Sequence, residues 1–385
     1  MINRTITQEL LTLTTEYPVV TILGPRQAGK TTLAQEGLPN YAYSNLESPE
    51  TRELAKNDPK AYLAQFPSNT IIDEIQRVPE LLSYIQVIVD QEKKNGRFVL
   101  TGSHQLQVRE AITQSLAGRT AILNLLPLSI SELRSAGIRF DSFEEYAFRG
   151  FLPRIYDQSM RPTTAYSNYY QTYVERDVRQ LIHLKDMTLF EKMIRLLAGR
   201  VGQLVDYSSL ANDVGVDAKT IRNWMSILEA SFLLFRLPPY FKNFGKRSIK
   251  TSKIYFTDVG LLCFLLNIRK PEQVTRDPLV GGIFENLVVI ECLKARYNRG
   301  EIPDLYFFRD SNGNELDLVW QEGSTLAAAE IKCGSTFSMS LLKGLQRFRA
   351  LAPEFTKGFL VFNGTAQDLS DGTRIRHFTQ ADSLF

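Results

Sequence analysis

The chain has 385 residues, 44% apolar and 23% charged. That is ordinary globular composition, long enough for two or three domains and a sizeable core. The formal net charge of +3 excludes a nucleic-acid argument from overall charge, so any basic surface has to be local.

The N-terminal segment is polar and periodic, unlike a signal peptide. Apolar runs such as Gly260-Leu261-Leu262-Cys263-Phe264-Leu265-Leu266 are too short to span a membrane. Cys263, Cys292 and Cys333 are scattered, and His104, His183 and His377 form no cluster. Neither a disulfide framework nor a metal spacing is present, and a reducing cytoplasmic location is expected.

Tyr17-Pro18-Val19-Val20-Thr21-Ile22-Leu23 reads as a buried strand. It feeds Gly24-Pro25-Arg26-Gln27-Ala28-Gly29-Lys30-Thr31, which fits G-x-x-x-x-G-K-[ST] at every fixed position. A helix starts at Thr31-Thr32. The glycines let backbone N–H groups turn inward around phosphates, and the helix N-terminus adds its positive dipole end. Lys30 can reach the β- and γ-phosphates of ATP, and the Thr31 hydroxyl can ligate Mg²⁺. Thr70-Ile71-Ile72-Asp73-Glu74 is a short apolar strand ending in two acids. Asp73 suits holding Mg²⁺ through water, and Glu74 suits a general base. Arg97 to Ser103 predicts a third strand, wedged between the first two. Ser103 is the candidate γ-phosphate sensor, with Thr101 the alternative. A helix ending near Arg119 and a strand over Thr120–Leu126 follow.

Residues 140–200 read as mostly helical. The aromatic stretch Tyr166–Leu184 suits core or a subunit interface better than a cofactor site. Residues 203–229 predict a helix-turn-helix. Ser208 and Ser209 cap the first helix, Gly215 permits the turn, and Asp217 caps the second. Ile221, Trp224 and Leu228 point inward at helical spacing. Lys219, Thr220, Arg222, Asn223 and Ser226 face out. Two strands, Phe232–Leu237 and Lys253–Thr257, complete a winged helix. Between Glu229 and Asp258 lie Arg236, Lys242, Lys246, Arg247, Lys250 and Lys253, with no acid among them. Such a wing suits DNA phosphates, through Lys219, Arg222, Lys246, Arg247 and Lys250; the alternative is a lid that touches no DNA.

The last segment carries Glu285 on an apolar helix over Gly282–Lys294. Two strands follow, Glu315–Trp320 and Thr325–Lys332, joined by a Gly323-Ser324 hairpin turn. Pairing across that turn sets Asp317 opposite Glu330 and Glu315 opposite Lys332, all on one face. Opposed carboxylates repel unless one is protonated or a cation lies between them. Asp317 and Glu330 therefore suit a divalent metal, with Lys332 alongside. This is the D…E-x-K pattern of PD-(D/E)XK nucleases, with Glu285 as the upstream acid. The alternative is a solvated charged face with a Glu315–Lys332 pair.

Together the stretches GPRQAGKTTL, IIDEIQRVPEL, VLTGSHQL, SLAGRT, PLSISEL, YVERDVRQL, FTDVGLL, FENLVVIECLK, ELDLVW and EIKCG resemble a prokaryotic family of AAA+ ATPases with a C-terminal DUF4143 domain. The resemblance runs nearly the whole chain. It implies an α/β fold with a P-loop AAA+ ATPase domain over 1–135 and a helical connecting region over 136–200. A winged helix-turn-helix over 201–270 and a PD-(D/E)XK nuclease-like α/β domain over 271–385 complete it. In AAA+ ATPases an arginine at the position of Arg119 is a finger that acts on a neighbour's nucleotide. It implies a homo-oligomeric ring, hexameric or close to it; the alternative is a helix-capping arginine. The family's sensor segment more often ends in two serines, whereas here Ser103 is followed by His104. Two functions remain open. One is an ATPase that remodels or processes DNA, branched DNA included; the other is a nucleotide-controlled switch whose later domains only bind partners.

Overall fold

The computed structural model describes residues 2–103, 115–173, 187–240, 251–310 and 312–385. The chain forms two compact units. The first is Met1–Leu128 with Ala230–Phe232 and Arg296–Glu301; the second is Ser129–Glu229, Leu233–Ala295 and Ile302–Phe385. Among the described residues no helix is long and apolar enough to cross a membrane.

The first unit is built on strands β1 (Val19–Leu23), β2 (Ala42–Asn45), β3 (Thr70–Asp73), β4 (Phe98–Gly102) and β5 (Thr120–Asn124). They form one parallel sheet in the order β2-β3-β4-β1-β5. Every residue of β1, β3 and β4 is buried. Continuous apolar runs are what strands covered on both faces require. β4 lies between β3 and β1, as its sequence position and composition predict. β2 escapes sequence reading because it is a short edge strand, only partly buried. Val20, Ile22, Ile71, Val99 and Leu123 of the sheet pack with Ile6, Leu10, Leu33 and Ala34.

The order brings the carboxyl ends of β1 and β3 to one edge of the sheet, with β4 between them. Loops leaving that edge are where open parallel sheets place ligands.

In the second unit, β6 (Leu234–Leu237) and β7 (Lys253–Phe256) pair antiparallel. β8 (Leu305–Arg309), β9 (Glu315–Glu322), β10 (Thr325–Lys332), β11 (Phe355–Phe362), β12 (Gln367–Asp368) and β13 (Arg374–His377) form a mixed sheet. Its order is β12-β13-β11-β10-β9-β8. The β9–β10 ladder runs from Thr325↔Glu322 to Ala329↔Leu318, the register that the Gly323-Ser324 turn demands. Helix Val280–Asn298 precedes this sheet in the chain.

Helices Tyr207–Val214 and Ala218–Ala230 flank Gly215, whose φ of 94° is left-handed. Ile221, Trp224 and Leu228 are buried, while Lys219, Arg222, Asn223 and Ser226 are exposed. Asp217 accepts from the Lys219 and Thr220 amides at 2.9 Å each. The first helix is capped by Asp206, not by Ser208 or Ser209; those two serines donate their amides to its carboxylate. A serine already inside the first turn cannot cap it. Tyr166, Tyr169, Tyr170 and Tyr173 are buried, whereas residues 174–184 of that aromatic stretch, most of YVERDVRQL among them, lie outside the described residues.

Asp258 of the FTDVGLL stretch ties this unit together. It caps helix Val259–Leu265 by accepting the amides of Gly260 at 2.8 Å and Leu261 at 3.3 Å. The Phe151 amide and the Tyr166 hydroxyl reach the same carboxylate at 3.1 and 2.7 Å. Gly260 must be glycine, because a Cβ there would lie 2.5 Å from the Tyr166 ring. Asp258→Ala leaves these buried donors unpaired. We expect a loss of about 3–5 kcal/mol, read as a fall in the urea midpoint; an unchanged midpoint would show that water replaces the carboxylate.

Candidate functional site

The loop between β1 and the helix Lys30–Gly37 has the geometry of a phosphate cradle. Gly24 sits so close to the strand β5 extension that a Cβ would lie 2.0 Å from the Leu125 carbonyl oxygen. Gly29 turns the chain into the helix with φ 92°, a conformation that favours glycine. Pro25, Arg26, Gln27 and Ala28 lie between, and Thr32 follows on the exposed side of the helix start. Arg26 faces Glu47 at 3.8 Å.

Lys30 is buried and folds back over the loop. Its Nζ donates to the carbonyls of Gly24 at 3.1 Å and Pro25 at 2.9 Å. Burial pulls its pKa down, and the carboxylates of Glu74 and Asp73 work against that.

The Thr31 hydroxyl donates to both Asp73 oxygens, at 3.1 and 2.9 Å. This bond joins the β1 loop to the end of β3. Asp73 is buried and also accepts from Tyr43 at 3.0 Å and from Thr101. Two hard oxygen donors converging at a phosphate cradle fit a magnesium ion delivered with a nucleotide.

Glu74 follows in a left-handed conformation, φ 59° and ψ 47°. That is costly for a residue with a side chain and concentrates at functional sites. Its amide donates to Thr101 Oγ1 at 3.1 Å, which holds the turn. Its carboxylate accepts from Gln76 and, at 3.3 Å, from Ser103. Gln76 also donates to Ser103 Oγ at 3.0 Å. Thr101 therefore sits on Asp73 and Ser103 on Glu74. His104 lies outside the described residues.

Arg119 lies at the amino end of β5, since its carbonyl accepts the Val19 amide. Its guanidinium forks onto Asp90, with Nε at 2.6 Å and Nη2 at 2.9 Å. An arginine without work in its own subunit is thus not what the fold holds. The pair is largely exposed, and exposed pairs hold weakly.

The second unit gathers the other sequence-predicted residues. Asp317 and Glu330 are both buried, and Lys332 Nζ lies 2.9 Å from each. The Glu315–Lys332 pair of the alternative reading does not form. The β9–β10 ladder ends at Ala329, and Glu315 pairs instead with Lys253 at 2.6 Å and Arg309 at 3.3 Å. Glu285 accepts from Lys253 at 3.0 Å and from the Tyr255 hydroxyl at 2.6 Å.

Burial and then the neighbouring Asp317 push Glu330 up to about 8. Burial alone would raise Asp317 too, but Lys332 and Lys253 hold it below the usual carboxylate range. Burial and Asp317 raise Glu285 against the pull of Lys253. Burial opposes the charge of Lys253, and the carboxylates of Glu285, Asp317 and Glu315 overcome it, so its pKa is raised.

These observations correct one expectation. Lys253 and Arg236 do not belong to a free basic wing. Lys253 is 4% exposed in its side chain amid carboxylates, and Arg236 pairs with Glu229. Counter-charges distant or flanking in sequence found them. Glu285, Asp317 and Glu330 are each met by a lysine ammonium. Among the described residues no group of three or more His, Cys, Asp or Glu is arranged for a metal ion. Lys219 is exposed and Arg222 lies over the Tyr207 ring at 5.2 Å. Lys246, Arg247 and Lys250, with Lys242, lie outside the described residues.

Sequence reasoning missed Arg4, Tyr43, Gln76 and the role of Lys253. Arg4 braces the phosphate loop by donating to the carbonyls of Ala28 and Leu126, each at 2.6 Å. Nothing local announces it. Tyr43 rides on the unread β2. Gln76 was legible only as a polar residue two places after Glu74. Lys253 stood out as a charge at the head of an apolar strand.

Three family models match successive parts of the chain. They are an AAA domain over residues 16–134, a domain of unknown function (DUF8612) over 140–272 and a domain of unknown function (DUF4143) over 280–380. The uncharacterized protein Rv2008c of Mycobacterium tuberculosis is 32% identical over 328 residues, covering 84% of this chain and 72% of that protein. An uncharacterized protein of Haemophilus influenzae is 27% identical over 309 residues, covering 72% of this chain and 74% of that protein. Among solved structures, the Walker-type ATPase PABY2304 of Pyrococcus abyssi superposes with a TM-score of 0.47 at 13% identity. It covers 69% of this chain and 96% of that one.

The Arg4 brace is testable on its own. Arg4→Ala removes two hydrogen bonds from a charged donor to the loop that follows β1 and to the end of the β5 extension. The unit should lose about 2–3 kcal/mol in chemical denaturation. A change below about 0.5 kcal/mol, the range of an ordinary surface substitution, would show that the loop keeps its shape without the arginine.

Proposed function

The chain belongs to the family of Rv2008c and carries an AAA domain and a C-terminal DUF4143 domain; on that premise we propose that it is a Mg²⁺-dependent ATPase that binds DNA, branched DNA included, and couples hydrolysis to remodelling or processing it. The observation that carries the reading is the Thr31–Asp73 hydrogen bond. It joins the loop after β1 to the end of β3, which supports one site for phosphate and metal.

In this reading the amides of Gly24 to Thr32 surround the phosphates. Lys30 exchanges its two loop carbonyls for phosphate oxygens. Thr31, and Asp73 through water, would hold Mg²⁺, which when bound would supply positive charge against the phosphates. Glu74 takes the proton of the attacking water. Ser103 and Gln76, bonded to the Glu74 carboxylate, set its orientation. Arg119 leaves Asp90 to reach a neighbouring subunit's nucleotide in a homo-oligomeric ring, hexameric or close to it. The exposed Lys219 and Arg222, with Lys246, Arg247 and Lys250, contact DNA phosphates. They do so from a winged helix-turn-helix made of the helices Tyr207–Val214 and Ala218–Ala230 with β6 and β7.

A second reading is supported by the lysine-filled carboxylate cluster. A C-terminal domain whose acids are already paired suits a binding module, and the protein would then be a nucleotide-controlled switch. ATPase rates with and without duplex, single-stranded and branched DNA separate the two.

Glu74→Gln should keep ATP binding and lose turnover by about 10²-fold or more, while Lys30→Ala should lose binding as well. Wild-type turnover in Glu74→Gln would remove Glu74 from the role. Mixing Arg119→Ala with Glu74→Gln subunits should restore part of the activity, and a monomer in sedimentation with an ATP analogue would rule out the ring. Replacing Lys246, Arg247 and Lys250 with Ala should weaken DNA binding uniformly across sequences and flatten its salt dependence. Unchanged affinity would take DNA away from the wing.

A further inference from the structure

The C-terminal carboxylates are surrounded by cations of the chain itself. Lys253 Nζ lies 3.0 Å from Glu285, 2.6 Å from Glu315 and 3.8 Å from Asp317. It lies 5.6 Å from the centre of the Phe307 ring. Lys332 pairs with Asp317 and Glu330, and Arg309 pairs with Glu315. Four carboxylates thus meet three cations.

The surrounding backbone leaves little freedom. A Cβ on Gly344 would lie 1.8 Å from Glu330 Oε1, and one on Gly202 would lie 3.3 Å from Glu285 Oε2. Lys253 itself is held by backbone pairing with Leu237 and with Leu204. Its Cα is therefore fixed on β7, and its side chain, 4% exposed, is packed among the carboxylates.

We propose that Lys253 is the resident cation of this cluster: it takes the place a divalent ion would need and latches β7 to β9 and to helix Val280–Asn298, so that the folded chain binds no metal there. The inference goes beyond the proposed ATPase activity and does not depend on it. Buried carboxylates without a counter-ion are strongly unfavourable. Here the counter-ion is covalently supplied, which excludes a competing metal and makes the position of β7 a condition of the cluster's stability. A metal could enter only with the Lys253 ammonium withdrawn, so any metal-dependent chemistry of this domain would require that ammonium to be displaced first.

The test is Mn²⁺ titration, by calorimetry and by the electron paramagnetic resonance of free Mn²⁺, into the full-length chain without nucleotide. All arms carry Asp73→Asn, which removes the metal-binding carboxylate of the other site. The parent should show no stoichiometric Mn²⁺ up to about 1 mM. Adding Lys253→Met should create a site, and adding Asp317→Asn to that should abolish it. A parent that binds one Mn²⁺ which Asp317→Asn removes would overturn the proposal, as would Lys253→Met that folds and gains nothing. If Lys253→Met does not fold, the comparison of parent with Asp317→Asn still decides.

Stability gives a second readout. Lys253→Met should lower the melting temperature by on the order of 10 °C. Glu285→Gln should then cost less in the Lys253→Met background than alone, because the two residues form one unit. Additive losses would overturn the latch.

Discussion

The Asp73 carboxylate is the point on which the first unit turns. It accepts from Thr31 after β1, from Tyr43 on β2 and from Thr101 on β4. Three strands and the phosphate loop therefore converge on one buried anion. A buried carboxylate is tolerated only where donors replace its water. The strand order supplies them, since β3 lies between β2 and β4 and ends at the edge where the β1 loop begins. Glu74, next in chain, accepts a left-handed backbone to leave that edge, and the Thr101 hydroxyl holds the turn that results. The chemistry and the strain thus sit on adjacent residues.

The second unit solves the same problem with charge instead of neutral donors. Its Glu285, Asp317 and Glu330 lie in a low-dielectric setting with like charges nearby, and lysines from β7 and β10 compensate them. The two sites differ in one respect that bears on function. At the nucleotide site the acid is held by hydroxyls, which a metal ion can share or displace at small cost. In the carboxylate cluster it is held by ammonium groups, which repel a metal ion.

The phosphate loop was legible from sequence because its chemistry is local. Contiguous residues supply the amides, the lysine and the threonine, and the flanking apolar runs identify the strand and the helix. The β9–β10 register was legible for a similar reason: a two-residue turn and period-two alternation leave one pairing. The acid-free stretch between Glu229 and Asp258 misled, because freedom from acids in sequence was read as freedom in space. Glu285 and Glu315 lie far along the chain yet hold Lys253, and Glu229 at the very edge of the stretch holds Arg236.

The sequence by itself determined an α/β P-loop unit with its phosphate cradle, the Asp73–Glu74 pair at a strand end, and a carboxylate hairpin near the carboxyl end. Each follows from spacing within a few residues. Only the tertiary structure decided who partners the charges. It put Arg4 under the phosphate loop, Tyr43 and Thr101 on Asp73, Arg119 on Asp90 and Lys253 among the C-terminal acids. The reason is physical: hydrogen-bond donors and counter-ions act over about 3 Å in space and carry no signature in sequence distance, whereas turns, strands and loops are set by their nearest neighbours along the chain.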